Sequence, residues 1–310
     1  MDFKIPNAPN RTFYIEEIAD FWELQAAIES NRSVSKVDII KLLSIESDEL
    51  KHDGIISEED KIDIKLDTVI PEFSKRSTSC SSQNYPFEIN RASIKIRSID
   101  DIYKYAYLFL LLCTRLNMSD NRTHAGINGA YLFEKICRIV GENYFGNLAE
   151  SFHFGTGNQG DFPDKVGQLI NQLKEGKGYK NINDHRNLKN DDGLDVVFWK
   201  NFSDKDEGKL IGFGQCKTGT SWEDSIHDLR PRTFCKKWFM EQPFLDPIPI
   251  AFISDTLKSE KNLKGVKVDC LFFNRFRIME YIADEIGQDL ETDLRTWVDE
   301  ALNQTIAAYA

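Results

Sequence analysis

Between residues 191 and 219 the chain reads DDGLDVVFWKNFSDKDEGKLIGFGQCKTG, two apolar runs separated by a charged segment. Residues 194–199 and 210–216 are rich in β-branched and aromatic side chains, and 203–208 between them is polar and ends in Gly. That pattern predicts a β-hairpin. Strand side chains alternate between faces, so Asp195 shares a face with Val197 and Trp199. Gln215 shares one with Lys217, and Cys216 points away. Pairing the two strands brings a carboxylate, an amide oxygen and an ammonium group to one strand end. Charged groups beside apolar runs are costly to bury unless they are paired or hold a metal. The plain alternative is a turn aspartate after Gly193 and a solvated lysine guarding a sheet edge. Gly193, Gly214 and Gly219 flank these positions, where backbone or ligand can approach closely.

G-x-D (193–195) followed, one strand and one turn later, by Q-x-K (Gln215-Cys216-Lys217) resembles the PD-(D/E)XK nuclease superfamily, in particular its Mrr-like restriction branch. The resemblance spans roughly residues 125–275. It implies an α/β fold with a restriction-endonuclease-like core, a central mixed sheet flanked by helices. It also implies a metal-dependent DNA endonuclease of prokaryotic restriction or antiphage defence. The alternative is a catalytically inactive DNA-binding or scaffold subunit that keeps the nuclease shape.

The rest of the chain is read around that core. Residues 12–30 carry an apolar helical stripe, and 36–45 a second one, with Ser33 or Ser35 as its cap. The pair is a helix-turn-helix fragment or, the preferred reading, a packing or partner-docking unit. Residues 46–65 are strongly acidic and would repel a phosphate backbone. The Ser-rich 71–85 reads as a linker. A boundary near residue 90 then separates an N-terminal, mainly helical accessory region (1–90) from the nuclease-like domain (91–310). Ser98 opens a nearly all-apolar helix over 99–116. A helix over 127–140 follows, with Gly141 at its end. Residues 148–154 read as a strand, and Asp161 and Pro163 start a helix. Past the hairpin a helical pattern covers 222–229 and 233–240. Strands at 249–254 and 266–273 and two terminal helices complete the chain. GTGNQG (155–160) lacks the G-K-[ST] ending of a phosphate-binding loop.

The 310 residues carry a net charge of −11, which argues against a chain that coats nucleic acid by general electrostatics. A nuclease with one basic strip is compatible with it. The longest apolar run, 105–113, is too short to span a bilayer, and MDFKIPNAPNR has no signal-peptide layout. The six cysteines are widely spaced with no C-x-x-C pair, as expected of thiols in a reducing, cytoplasmic setting.

The resemblance implies a catalytic set of Glu134, Asp195, Gln215 and Lys217. Mg²⁺, with Mn²⁺ as a substitute, would be held by Asp195, Glu134, Gln215 and the backbone carbonyl of Cys216. Glu134, a single acid on an apolar helix, has the alternative of pairing with Arg138 one turn on. Lys217 would orient or deprotonate water, or stabilise the phosphorane charge. Arg230, Arg232, Lys236, Lys237, Arg186 and Lys189 are the candidate phosphate contacts. The implied partner is double-stranded DNA, with no membrane. A homo-oligomer and a defence-system ATPase or sensor partner remain open. A Cys216–His227 thiol hydrolase is disfavoured by strand alternation. A zinc site from His124, His153, His185 and His227 lacks ligand spacing.

Overall fold

The hairpin forms the middle of a mixed five-stranded sheet. The computed structural model describes residues 3, 14–29, 32–45, 66–155, 160–180, 192–258 and 269–309. Along this chain α1 is Ile15–Ile28, β1 Val34–Ser35, α2 Lys36–Ile45, α3 Val69–Ser79, β2 Phe87–Asn90 and β3 Ser93–Ile96. Next come α4 Ile102–Arg115, β4 Thr123–His124, β5 Ile127–Asn128, α5 Gly129–Phe145, β6 Ala149–His153 and α6 Phe162–Leu173. The remainder is β7 Val196–Lys200, β8 Leu210–Lys217, α7 Pro231–Trp238, β9 Ile248–Ile253, β10 Leu271–Phe273, α8 Arg275–Tyr281 and α9 Gln288–Tyr309.

The main sheet runs β10-β9-β8-β7-β6. Strands β6, β7 and β8 are an antiparallel meander, and β9 and β10 add in parallel to β8. The fold is therefore α/β, with helices on both sheet faces. The alternating residues of β7 divide between them. Val196 and Phe198 join the core that includes α4, α5 and α9, while Val197 and Trp199 join the cluster made with α6 and α7.

Helix α4 is the hub of the first core, as its apolar sequence demands; every residue from Ala106 to Cys113 is buried. Asp101, rather than Ser98, caps it by accepting from the Lys104 N–H at 2.9 Å. Helix α5 runs past Gly141 to Phe145 and is ended by Gly146 at φ +78°, a left-handed position that favours glycine. Gly141 has a different use: a Cβ there would strike the Phe198 ring, so it lets α5 lie against the sheet.

The expected linker at 71–85 is instead helix α3 followed by a turn. Val69, Phe73 and Arg76 recur on one buried face, and Ser74, Thr78 and Ser79 lie on the exposed one. Composition pointed to a loop; periodicity around a buried arginine made a helix. Arg76 is fully buried, donating to Asp20 at 2.7 Å and to Glu23 at 2.8 Å. Arg275 of α8 makes a bidentate pair with the same Asp20, at 2.7 and 3.0 Å. Arg115 of α4 adds a third contact at 3.0 Å. This buried network ties α1 and α3 to α4 and α8, and the apolar core is continuous across residue 90. The helix expected over 222–229 is only a 3-10 turn at Trp222–Asp224. The small sheet β1-β3-β2 was not expected from sequence. The acidic segment 46–65 lies outside the described residues. Among the described residues no helix is long and apolar enough to cross a membrane.

Candidate functional site

The ladder between β7 and β8 ends where Val196 faces Gly214, yet β8 continues to Lys217 on the β9 side. Beyond that point the β8 backbone groups that face β7 lose their strand partner. Asp195 replaces it. Its own N–H donates to Gly214 O at 3.0 Å, and its Oδ2 accepts from the Cys216 N–H at 2.7 Å. Gly214 allows this close pairing, since a Cβ there would press on Val196 at 2.6 Å. The carbonyl of a strand residue points the same way as its N–H. Cys216 O therefore lies on the Asp195 side, free of the β9 ladder.

Gln215 is buried, at 2% exposure. Its amide satisfies both groups with the oxygen accepting from Lys217 Nζ at 3.1 Å and the nitrogen donating to Ser225 O at 3.2 Å. The expected sharing of a face by Gln215 and Lys217 is thus realised as a hydrogen bond. Cys216 points to the opposite side, against Cys137 of α5. Burial pushes both thiols up from their ordinary values, and the charges of Asp195 and Glu134 push them further the same way. A thiol pushed up in this way is a poor nucleophile, and Cys216 faces α5 rather than His227.

Glu134 is 8% exposed on α5, and its partner is His153 at the end of β6 rather than Arg138. Arg138 stands exposed one turn on. The next two residues close the site. Phe154 and Gly155 both donate their N–H groups to Asp195 O, at 2.8 and 2.9 Å. The buried Lys165 of α6 donates to Gly155 O at 2.9 Å. A Cβ on Gly155 would collide with the Glu134 carboxylate. Glycine at 155 therefore lets Glu134 sit directly beside the segment that holds Asp195.

His153, Gly155 and Lys165 were not foreseen as site residues. His153 carried a weak signal, a histidine ending an alternating strand. Gly155 and Lys165 carried none without the tertiary placement.

Helix α7 buries Phe234, Cys235 and Trp238 against Phe213 and Phe162. It leans on the Asp195 segment through Asp192, which accepts from Trp238 Nε1 at 2.8 Å and pairs with Lys237 at 3.3 Å. Lys237 also lies 4.4 Å from the Trp238 ring centroid. Arg232 faces Asp246 at 3.6 Å. Arg230 and Lys236 are exposed. A cavity of about 250 Å³ lined by His227, Arg230, Arg232 and Thr233 opens at the start of α7. Arg186 and Lys189 lie outside the described residues.

Among the described residues no three His, Cys, Asp or Glu side chains converge as a metal cage. The oxygen donors that the resemblance assigns are two carboxylates, the Cys216 carbonyl and the Gln215 amide oxygen, the last engaged by Lys217. Glu134 approaches from the α5 side, to which the Cys216 thiol points, and Gln215 lies on the opposite face of β8. That all-oxygen set fits a hard cation that keeps several waters, as Mg²⁺ does, better than zinc. Among the described residues the histidines are dispersed, and His185 lies outside them. His124 contacts Gln304 and Asn121 O, His153 contacts Glu134, and His227 is exposed. No protein-family model, curated protein or solved structure matches this chain.

Proposed function

We propose that this chain is a Mg²⁺-dependent DNA endonuclease of the PD-(D/E)XK type. The observation that carries the reading is the break in the β7–β8 ladder, where Asp195 clasps the backbone of the Q-x-K segment beside Glu134. The element order supports it too. Helix α5, the β6–β7–β8 meander, α7 and the parallel β9 are compatible with the restriction-endonuclease-like core that the resemblance implies.

In this reading Asp195, Glu134, Gln215 Oε1 and Cys216 O would hold the cation, which supplies charge neutralisation at the scissile phosphate and an acidified water. Asp195 is oriented by the Cys216 N–H, so its carboxylate is set before metal arrives. Lys217 is held by Gln215 and puts its positive charge next to the reacting phosphate. Arg230, Lys236 and Lys237 on and before α7 supply the basic strip that the net charge of −11 requires to be local. A role in restriction or antiphage defence follows from the Mrr-like motif.

The neutral Gln215, already engaged by Lys217, favours one second reading, a DNA-binding scaffold without turnover. Purified protein with plasmid DNA and Mg²⁺ separates the two. Nicking or linearisation that EDTA and Asp195→Asn abolish supports the nuclease. A mobility shift that needs no metal, with intact plasmid, supports the scaffold.

A further inference from the structure

We infer that His153 is a positioning residue for the metal carboxylate of Glu134, coupling it mechanically to Asp195. This rests on the nuclease reading and adds to it a residue outside the motif. The backbone of His153 is paired with Val196, the residue after Asp195. Its side chain reaches across to α5, where Nε2 meets Glu134 Oε2. A carboxylate only accepts, so Nε2 carries the proton. The imidazole is itself clamped, stacked on Tyr131 with centroids 5.0 Å apart and planes at 27°. Tyr131 and Glu134 lie within one turn of the same helix, so ring and carboxylate are fixed to one rigid element.

The consequence is geometric. Glu134 is buried on a helix and would otherwise choose among several rotamers. Close approach to Gly155 on one side and the His153 N–H on the other restrict that choice. The strand that carries His153 is hydrogen-bonded to the strand that begins just after Asp195, so the spacing of the two carboxylates is set by strand pairing rather than by the cation. Partners that orient a metal ligand without touching the metal typically change metal affinity by roughly 10–100-fold.

The test is Mn²⁺ binding followed by electron paramagnetic resonance or calorimetry on the full chain, alongside plasmid cleavage at graded Mn²⁺. His153→Ala is expected to weaken Mn²⁺ binding by roughly 10–100-fold. It should raise the half-activating metal concentration by a similar factor and leave the saturated rate much less affected. His153→Gln, which restores an N–H donor, recovers most of the affinity and keeps the test alive if the alanine variant is poorly folded. On the Glu134→Gln background, His153→Ala costs nothing further if it acts through Glu134. Wild-type affinity in both His153 variants, or a full additional loss in the double variant, overturns the inference. Absence of Mn²⁺ binding by the wild type, with no effect of Asp195→Asn, overturns the nuclease reading itself.

Discussion

Asp195 Oδ2 accepts the backbone N–H of Cys216 at 2.7 Å, so the acid of the first strand is tied to the middle residue of Gln215-Cys216-Lys217. The bond belongs to the backbone of Cys216, whose thiol looks the other way. That division of labour makes the motif testable residue by residue.

Asp195→Asn keeps an oxygen that accepts from Cys216 and removes the charge. It is expected to melt within a degree or two of wild type and to lose metal-dependent cleavage. Asp195→Ala loses both, and leaves the Cys216 N–H unpaired at a cost of about 1–3 kcal/mol. Cys216→Ala retains cleavage, because N–H and carbonyl stay in place. Thermal melts and plasmid cleavage on the three variants check this, and an inactive Cys216→Ala would reopen the thiol mechanism.

Gly155→Ala tests the wall behind Glu134. The added methyl collides with the carboxylate rather than with backbone. Glu134 is expected to swing away, so divalent-metal affinity falls by roughly tenfold or more while the fold survives, in the range of misplaced metal ligands. Titration with Mn²⁺ beside a circular dichroism melt reads both. Unchanged affinity would mean that Glu134 does not serve the cation.

Gln215→Glu adds a charge where Lys217 already donates at 3.1 Å. Two unit charges about 4 Å apart interact by about 4 kcal/mol at an effective dielectric near 20, offset by the cost of burying the new carboxylate. The variant should bind divalent metal about tenfold more tightly, since ligand charge tunes such sites. Equal affinity in both forms would place Gln215 outside the coordination set.

The buried network predicts acid sensitivity. Burial alone would raise Asp20, but Arg275, Arg76 and Arg115 outweigh it and hold the carboxyl well below its ordinary value of 3.8. A depressed folded-state value contributes stability above the unfolded value, and loses it as pH falls below. Asp20→Asn should therefore cost about 3–5 kcal/mol at pH 7, as breaking a buried ion pair does. The difference from wild type should shrink below about pH 4. Urea unfolding at pH 7, 5 and 3 measures it; a cost independent of pH would refute the assignment.

The sequence alone determined the elements with strong local signals. Apolar alternation marked β7 and β8, an all-apolar run marked α4 as buried, and Asp161 with Pro163 marked the start of α6. The shared face of Gln215 and Lys217 was readable because strand alternation is set by covalent geometry. Only the tertiary structure decided where Glu134 turns. Arg138 was its neighbour in sequence, but His153 arrives from another strand with a fixed ring. Only packing showed that the serine-rich 71–85 holds a helix, because Arg76 meets Asp20 and Glu23 across 56 and 53 residues of chain. Gly141 and Gly155 tell the same story. A glycine near a helix end or before a loop looks like a turn signal, and the ring or carboxylate that needs its empty space is placed by chain distant in sequence.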